Sequence, residues 1–97
     1  MVREVVEFRV KEGMAENFIA GTAASKSIFE QAPGFIALEL HHEVEDPLNV
    51  MIIVTWKSVQ HHLDMQKTPL YPQVREKVVE FLEEKPKVRH TEIKVNY

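Results

Sequence analysis

The sequence predicts an α+β domain of the ferredoxin-like class, with the element order β-α-β-β-α-β and an antiparallel sheet. Four short segments have the residue pattern of strands, and apolar residues recur at helical spacing between the first two and between the last two. Turn-forming residues separate these segments, and no repeat, low-complexity tract or linker interrupts the chain. We therefore expect a single domain over residues 1–97.

The first half of the chain is predicted to form a strand, a helix and a second strand. Residues 2–11 alternate with a period of two, which is typical of a strand with two different faces. Residues 14–31 have helical spacing, and Pro33 and Gly34 end this helix because proline cannot continue it. The second strand should run from 35 to 44. One face of that strand is predicted to consist of Ile36, Leu38, Leu40 and His42.

The second half is predicted to contain a third strand, two helices and a last strand. The third strand covers residues 50–56, and a short helix follows at 58–66. Ser58 should cap that helix, because its hydroxyl can accept a hydrogen bond from a free N–H of the first turn. A longer helix is expected over 70–84 and the final strand over 88–97.

The third strand is apolar on both faces. Its two faces consist of Val50, Ile52, Val54 and Trp56 on one side, and of Met51, Ile53 and Thr55 on the other. A sheet with helices on one face normally exposes polar residues on the opposite face. We therefore expect a homodimer in which a second copy of the chain covers that face, since closed twofold dimers are the commonest assembly.

The composition argues against several classes of partner and compartment. The net charge is −3 and the basic residues are scattered, so a nucleic-acid partner is not expected. No apolar run approaches the ~20 residues that span a bilayer, which predicts no membrane insertion. The N-terminus enters a strand without the apolar segment of a signal peptide, and this favours a cytoplasmic location.

Metal and nucleotide sites are not expected either. The chain has no cysteine, which excludes thiolate ligands and cysteine nucleophiles. His41 and His42 are neighbours on a strand, so their side chains should point to opposite faces and cannot share one ion. No metal-binding histidine spacing and no glycine-rich phosphate loop occurs.

The candidate functional residues are concentrated at the end of the third strand and in the short helix after it. At ~100° per residue, His62 falls beside Val59 and Leu63 on the side predicted to face the sheet, whereas His61 should face solvent. An imidazole in that position is either a general base or a half-buried side chain that bonds a backbone carbonyl. Trp56 is either a pocket wall or a core residue that covers the end of the sheet.

Tyr71 follows the break that Thr68 and Pro69 introduce, and its ring should pack in the core. Its hydroxyl would then be free to meet a ligand or water. Together with Trp56 and His62, it marks the region where a pocket is expected.

Three short motifs resemble those of the antibiotic biosynthesis monooxygenase family, and the resemblance covers nearly the whole chain. The motifs are Glu12-Gly13 before the first helix, Pro33-Gly34-Phe35 at the second strand and Trp56-Lys57-Ser58 after the third. The resemblance implies ferredoxin-like domains that pair into a dimeric α+β barrel. Members of the family oxygenate aromatic polyketides or quinols without metal or flavin, degrade haem, process small signalling molecules, or have no known activity.

Individual positions separate the subfamilies. The positions that match the functional residues of the haem-degrading members are Val6, Met65 and Arg75, which all depart from that pattern. The segment Thr68-Pro69-Leu70-Tyr71 resembles the Thr-Pro-His-Tyr motif of quinol monooxygenases and of members that process autoinducer-2, although its histidine is Leu70 here. The histidine upstream of that motif is replaced by Met65, and His62 could substitute from the preceding turn.

The resemblance therefore implies a cofactor-independent monooxygenase for a small aromatic or quinol-type molecule, with no metal and no bound cofactor. His62 is predicted as the catalytic base, and Tyr71 as the catalytic residue that hydrogen-bonds the substrate. Trp56, Leu63 and Thr68 are predicted to bind substrate. The alternative is a non-catalytic dimeric protein that binds a small molecule in the same cavity. An open pocket in which His62 and Tyr71 converge would favour the enzyme, and a sealed core would favour the binding protein.

Overall fold

A computed structural model, which describes residues 1–97, shows one four-stranded antiparallel sheet with helices on one face. The strands are β1 (Val2–Arg9), β2 (Phe35–His42), β3 (Asn49–Trp56) and β4 (Lys87–Thr91). The helices are α1 (Ala15–Ala23), α2 (Lys26–Glu30), α3 (Val59–Met65) and α4 (Leu70–Glu76), with a 3₁₀ turn at Val79–Phe81. The strand order is β2-β3-β1-β4, which confirms the predicted ferredoxin-like fold. None of the helices combines the length and apolarity that a bilayer crossing requires.

The two central strands, β1 and β3, pair along their whole length, from Val2 opposite Trp56 to Arg9 opposite Asn49. This register sorts their side chains onto two faces. The covered face, against the helices, consists of Val6, Phe8, Val50, Ile52, Val54 and Trp56. The open face, which no helix covers, includes Val5, Glu7, Met51 and Ile53. The predicted two-sided apolar character of β3 is therefore present in the fold.

The second strand differs from its prediction at one residue. The pairing of β2 with β3 shifts between Phe35 and Ala37, where an extra residue forms a bulge. A bulge reverses the alternation, so Phe35 packs on Trp56 and joins the core while Ile36 is 43% exposed. The predicted placement of Ile36 on the same face as Leu38 is wrong for this reason.

The helix predicted over 14–31 is interrupted after Ala23 and forms two helices. The break lies at Ser25, which is fully buried and whose hydroxyl donates to the carbonyl of Gly21. Serine in this position competes with the backbone for hydrogen bonds and bends helices. The apolar spacing continues across the break, and the sequence pattern therefore did not reveal it.

Two elements in the second half are shorter than predicted. The helix expected over 70–84 ends at Glu76, because the chain around Leu82 pairs with the end of β1 instead, through a bridge to Val10. The last strand ends at Thr91, which pairs with Arg3. Since β1 begins at Val2, it offers little backbone for residues beyond Thr91 to pair with.

The short helix α3 begins after Ser58, whose hydroxyl accepts from the backbone N–H of His61, as predicted. Its inward face differs from the prediction. His62 and Met65 are buried, whereas Val59 and Leu63 are 36% and 38% exposed. Residues three apart lie on the same side of a helix, so α3 contacts the sheet through an i, i+3 pair. The predicted inward orientation of His62 is confirmed, and that of Val59 and Leu63 is wrong.

Candidate active site

A cavity of about 160 Å³ lies between the helices and the covered face of the sheet. Eleven of the 18 residues that line it are hydrophobic, so water gains little by entering it. Its polar lining residues are Glu4, Thr22, Ser25, His62, Gln66, Tyr71 and Arg75. An apolar pocket with a few convergent polar groups is the usual form of a small-molecule site.

Trp56 forms one wall of the cavity and is fully buried at the end of β3. Its indole N–H donates to Oε1 of Glu4 over 2.9 Å. Glu4 reaches this position because it faces the helices from β1, next to Val6. A buried indole normally requires such a partner, and here the partner is a carboxylate whose side chain is only 12% exposed.

His62 lies between Glu4 and a second histidine. Its ring stacks on Trp56, with centroids 5.7 Å apart and an interplanar angle of 23°. Its Nε2 is 3.2 Å from Oε2 of Glu4, and its Nδ1 is 2.8 Å from Nε2 of His90. The side-chain amide of Gln66 is 3.4 Å from the same Nε2. His62 is 5% exposed, and both of its ring nitrogens have partners.

Burial changes the acid–base properties of this pair. It lowers the pKa of His62 to about 4, and the neighbouring His90 acts in the same direction. Burial also raises the pKa of Glu4 above its ordinary value, against the opposing effect of the hydrogen bond from Trp56. His62 is therefore neutral near pH 7 and a weaker base than a free imidazole.

Tyr71 and Arg75 come from α4 and line the same cavity. Tyr71 is 40% exposed, so its ring lies at the boundary between cavity and solvent, and the prediction that it packs in the core is wrong. The structure thus brings together Trp56, His62 and Tyr71, three of the five predicted site residues. Arg75 is the one lysine or arginine among the lining residues.

The other two predicted site residues do not line this cavity. Leu63 projects from the outer side of α3. Thr68 shapes the turn into α4, since its hydroxyl donates to the carbonyl of Met65 over 2.7 Å and accepts from the N–H of Leu70. The prediction that His61 faces solvent is wrong. Its ring lies so close to Gly34 that a Cβ there would be 2.3 Å away, and its Nδ1 is 2.7 Å from the hydroxyl of Ser58.

Sequence reasoning did not single out Glu4 or His90. Glu4 left a signal, because it is the charged residue in the otherwise apolar series Val2, Glu4, Val6 and Phe8. A charge on an apolar strand face is unusual unless it has a buried partner. His90 left none, since only the pairing of β4 with β1 places it opposite Glu4. No group of three or more His, Cys, Asp or Glu side chains is placed to hold a metal ion.

Comparison with known proteins identifies the family. The family model for antibiotic biosynthesis monooxygenases matches residues 1–77. The chain belongs to the antibiotic biosynthesis monooxygenase family. No curated protein sequence matches this family member significantly.

Solved structures of other proteins share its architecture. A protein of the same family from Bordetella bronchiseptica is 27% identical, with a TM-score of 0.94 and 97% of each chain covered. A second, from Nitrosomonas europaea, is 19% identical with a TM-score of 0.82, over 98% of this chain and 100% of the other. SnoaB from Streptomyces nogalater, a cofactor-independent oxygenase, is 17% identical with a TM-score of 0.84, over 98% of this chain and 94% of its own. At these lower identities the likeness shows the fold.

Proposed function

We propose that this family member is a cofactor-independent monooxygenase that acts on a small aromatic or quinol-type molecule. The observation that supports it best is a neutral, buried imidazole beside an indole in an apolar cavity. A cavity of about 160 Å³ matches one aromatic ring, since an apolar cavity of about 150 Å³ binds benzene. The likeness to SnoaB supports the same reaction class.

In the proposed reaction, the Glu4–His62 pair takes the proton from a ring hydroxyl and creates an electron-rich anion. The apolar walls exclude water, and the hydroxyl of Tyr71 donates a hydrogen bond to the anion. The anion reduces O₂ directly. One ring carbon loses its hydrogen and takes one oxygen atom as a carbonyl, and the other oxygen atom leaves as water with the C–H and O–H hydrogens. The substrate supplies all four electrons, so the reaction needs no external reductant.

We also propose that the protein is a homodimer, with the open faces of two sheets packed together as a dimeric α+β barrel. Met51 and Ile53 support this, because they place half-buried apolar side chains on a sheet face that no helix covers. Apolar patches of this kind usually mark an interface. The cavity lies on the other side of the sheet and remains accessible in such a dimer.

The test is oxygen uptake by the purified protein against a panel of quinols and polyphenols, without added cofactor. We expect His62→Gln to lower turnover about 10²–10⁴-fold, the usual contribution of a general base. His61→Gln is the matched control, since it changes the neighbouring residue, which does not line the cavity. Equal, small effects of both substitutions would remove His62 from the mechanism.

The non-catalytic alternative has its own signature in the same panel. Single-ring phenols would raise the melting temperature by binding the cavity, but none would cause oxygen uptake. In that case the cavity is a binding site and the proposed reaction is wrong.

A further inference from the structure

We propose that Glu4, His62 and His90 form a proton relay that joins the cavity to solvent, with His90 as a positioning residue for His62. The three side chains come from β1, α3 and β4 and lie in a continuous line. The proposal rests on the proposed function only for the source of the proton that enters the relay. The relay itself concerns where protons sit in the resting protein.

Geometry fixes the order of the relay. Oε2 of Glu4 is 3.2 Å from Nε2 of His62, and Nδ1 of His62 is 2.8 Å from Nε2 of His90. Glu4 and His90 are directly opposite each other in the pairing of β1 with β4, so the backbone holds the two ends of the relay together. His62 is buried between them, whereas His90 is partly exposed at the edge of the sheet.

Each hydrogen bond in the relay has room for one hydrogen, so the protonation of Glu4 determines the tautomer of His62. When Glu4 is ionised, His62 donates from Nε2 to the carboxylate and accepts at Nδ1 from His90. When Glu4 is protonated, its O–H donates to Nε2 of His62, and Nδ1–H of His62 donates to His90. His62 is neutral in both arrangements.

The two arrangements differ by one proton, and the relay can release it to solvent. The O–H bond of Glu4 breaks as an N–H bond forms at Nε2 of His62. The Nδ1–H bond of His62 breaks as one forms at Nε2 of His90, and His90 releases its own Nδ1 proton to water. Glu4 is left as a carboxylate, and His62 has changed tautomer. Under the proposed function, this step restores the carboxylate after a substrate proton has entered the site.

The surroundings of His62 contain few groups that could compete with this relay. The other ionisable side chains on the cavity are Tyr71 and Arg75 from α4, and neither forms a hydrogen bond with His62. Gln66, from α3 itself, can donate or accept through its amide and so accommodates both tautomers. The indole N–H of Trp56 bonds Oε1 of Glu4, and this keeps Oε2 directed at His62.

The test is ¹⁵N NMR of the histidine rings in the full-length protein across the pH range in which the Glu4 carboxyl titrates, which its ¹³C signal locates in the same sample. We expect His62 to stay neutral and to change from the Nδ1–H tautomer at low pH to the Nε2–H tautomer at high pH. The change should disappear in Glu4→Gln, whose side chain does not titrate, and it should persist in His42→Gln. His42 is a matched control, because it is exposed and bonds only the carbonyl of Pro47. A constant tautomer in wild type, or a charged His62 ring above pH 6, would overturn the relay.

A second measurement applies once a substrate is found. We expect His90→Ala to lower turnover about 10- to 100-fold, the range typical of residues that orient a functional histidine. Added imidazole should restore part of the rate, which a purely structural loss would not allow. A tautomer change without turnover of any quinol would support the relay and contradict the proposed function. Turnover without the tautomer change would support the proposed function and contradict the relay.

Discussion

Glu4 and Glu7 lie three residues apart on β1 but on opposite faces of the sheet. Glu4 contacts His62, which is packed against β4, and Glu7 contacts Arg89 of β4. Glu4 is on the covered face, where its side chain is 12% exposed and burial raises its pKa. Glu7 is on the open face, where its side chain is 50% exposed and the Arg89 guanidinium lowers its pKa. The same residue type thus becomes a weaker acid under the helices and a stronger one outside them.

This difference shows that burial under the helices, more than residue type, determines which face of the sheet can support acid–base chemistry. A carboxylate beside a cation in water is stable, charged and unreactive, and such exposed pairs contribute little. A carboxyl without a cation, beside a neutral imidazole in an apolar cavity, holds its proton to a higher pH than an exposed carboxyl does. The proposed reaction therefore belongs to the covered face and the proposed assembly to the open face.

The largest expected effect concerns the open face. In a twofold dimer, Ile53→Glu would bury two unpaired charges, one from each copy, at a cost of several kcal/mol. We expect the variant to sediment as an 11.3 kDa monomer at micromolar concentration and the wild type at twice that mass. Val59→Glu, on the outer side of α3, is the control and should leave the assembly unchanged. A monomeric wild type would contradict the dimer.

The next effect concerns the pH dependence of stability on the covered face. His62 has a pKa of about 4 in the folded protein, against 6.5 for a free histidine. The unfolded chain therefore binds a proton between these values that the folded chain does not, and stability falls as the pH falls through this window. We expect wild type to lose about 3 kcal/mol between pH 7 and pH 4, relative to His62→Gln. Urea denaturation at several pH values measures it, and parallel pH profiles would contradict it.

Glu4 should act in the opposite direction. Its folded pKa is raised, so the folded chain holds a proton that the unfolded chain has released. This contribution stabilises the fold at low pH and is lost as the pH rises through the folded pKa. The same denaturation series on Glu4→Gln should therefore show a gain in stability, relative to wild type, as the pH rises. A relative loss would mean that Glu4 is stabilised as a carboxylate.

An effect of similar size is expected from Trp56→Phe. The substitution keeps an aromatic ring in the core but removes the N–H that bonds Oε1 of Glu4. A buried oxygen without its donor costs about 1–3 kcal/mol, and the smaller ring adds a cavity term. We expect a loss of about 2–4 kcal/mol in the free energy of unfolding at pH 7. A loss below about 1 kcal/mol would mean that the indole hydrogen bond is replaceable.

The smallest effect should come from the exposed pair on the open face. Arg89→Gln removes the partner of Glu7, whose side chain and that of Arg89 are each about half exposed. Exposed ion pairs contribute little to stability, so we expect the smallest change of the series. Denaturation at low protein concentration, where assembly contributes least, measures it. A loss as large as that of Trp56→Phe would contradict the contrast between the two faces.

Local patterns were sufficient to predict the fold, because the two-residue and helical periodicities directly report which elements form. They were also sufficient to place Trp56, His62 and Tyr71 near one another, since all three lie in one short stretch of sequence. Contacts that depend on register were not predictable. His90 meets His62 only because β4 pairs with β1, and the bulge at Ile36 depends on how β2 pairs with β3.

The orientation of α3 was predicted only in part for a similar reason. Helical geometry placed His62 on the inward side but did not distinguish Leu63 from Met65 as its buried companion. That choice depends on the tilt of α3 on the sheet. The stacking of His62 on the indole ring of Trp56 is one contact that fixes the helix on the sheet.

The most direct test of the contrast between the two faces is a ¹³C NMR titration of the side-chain carboxyls of Glu4 and Glu7 in one sample of the wild-type protein. Both start from the same ordinary value of 4.5, and both belong to the same strand. We expect Glu4 to titrate above that value and Glu7 below it. If the two carboxyls titrate together, or Glu4 titrates below Glu7, then the covered face does not create a distinct acid–base site.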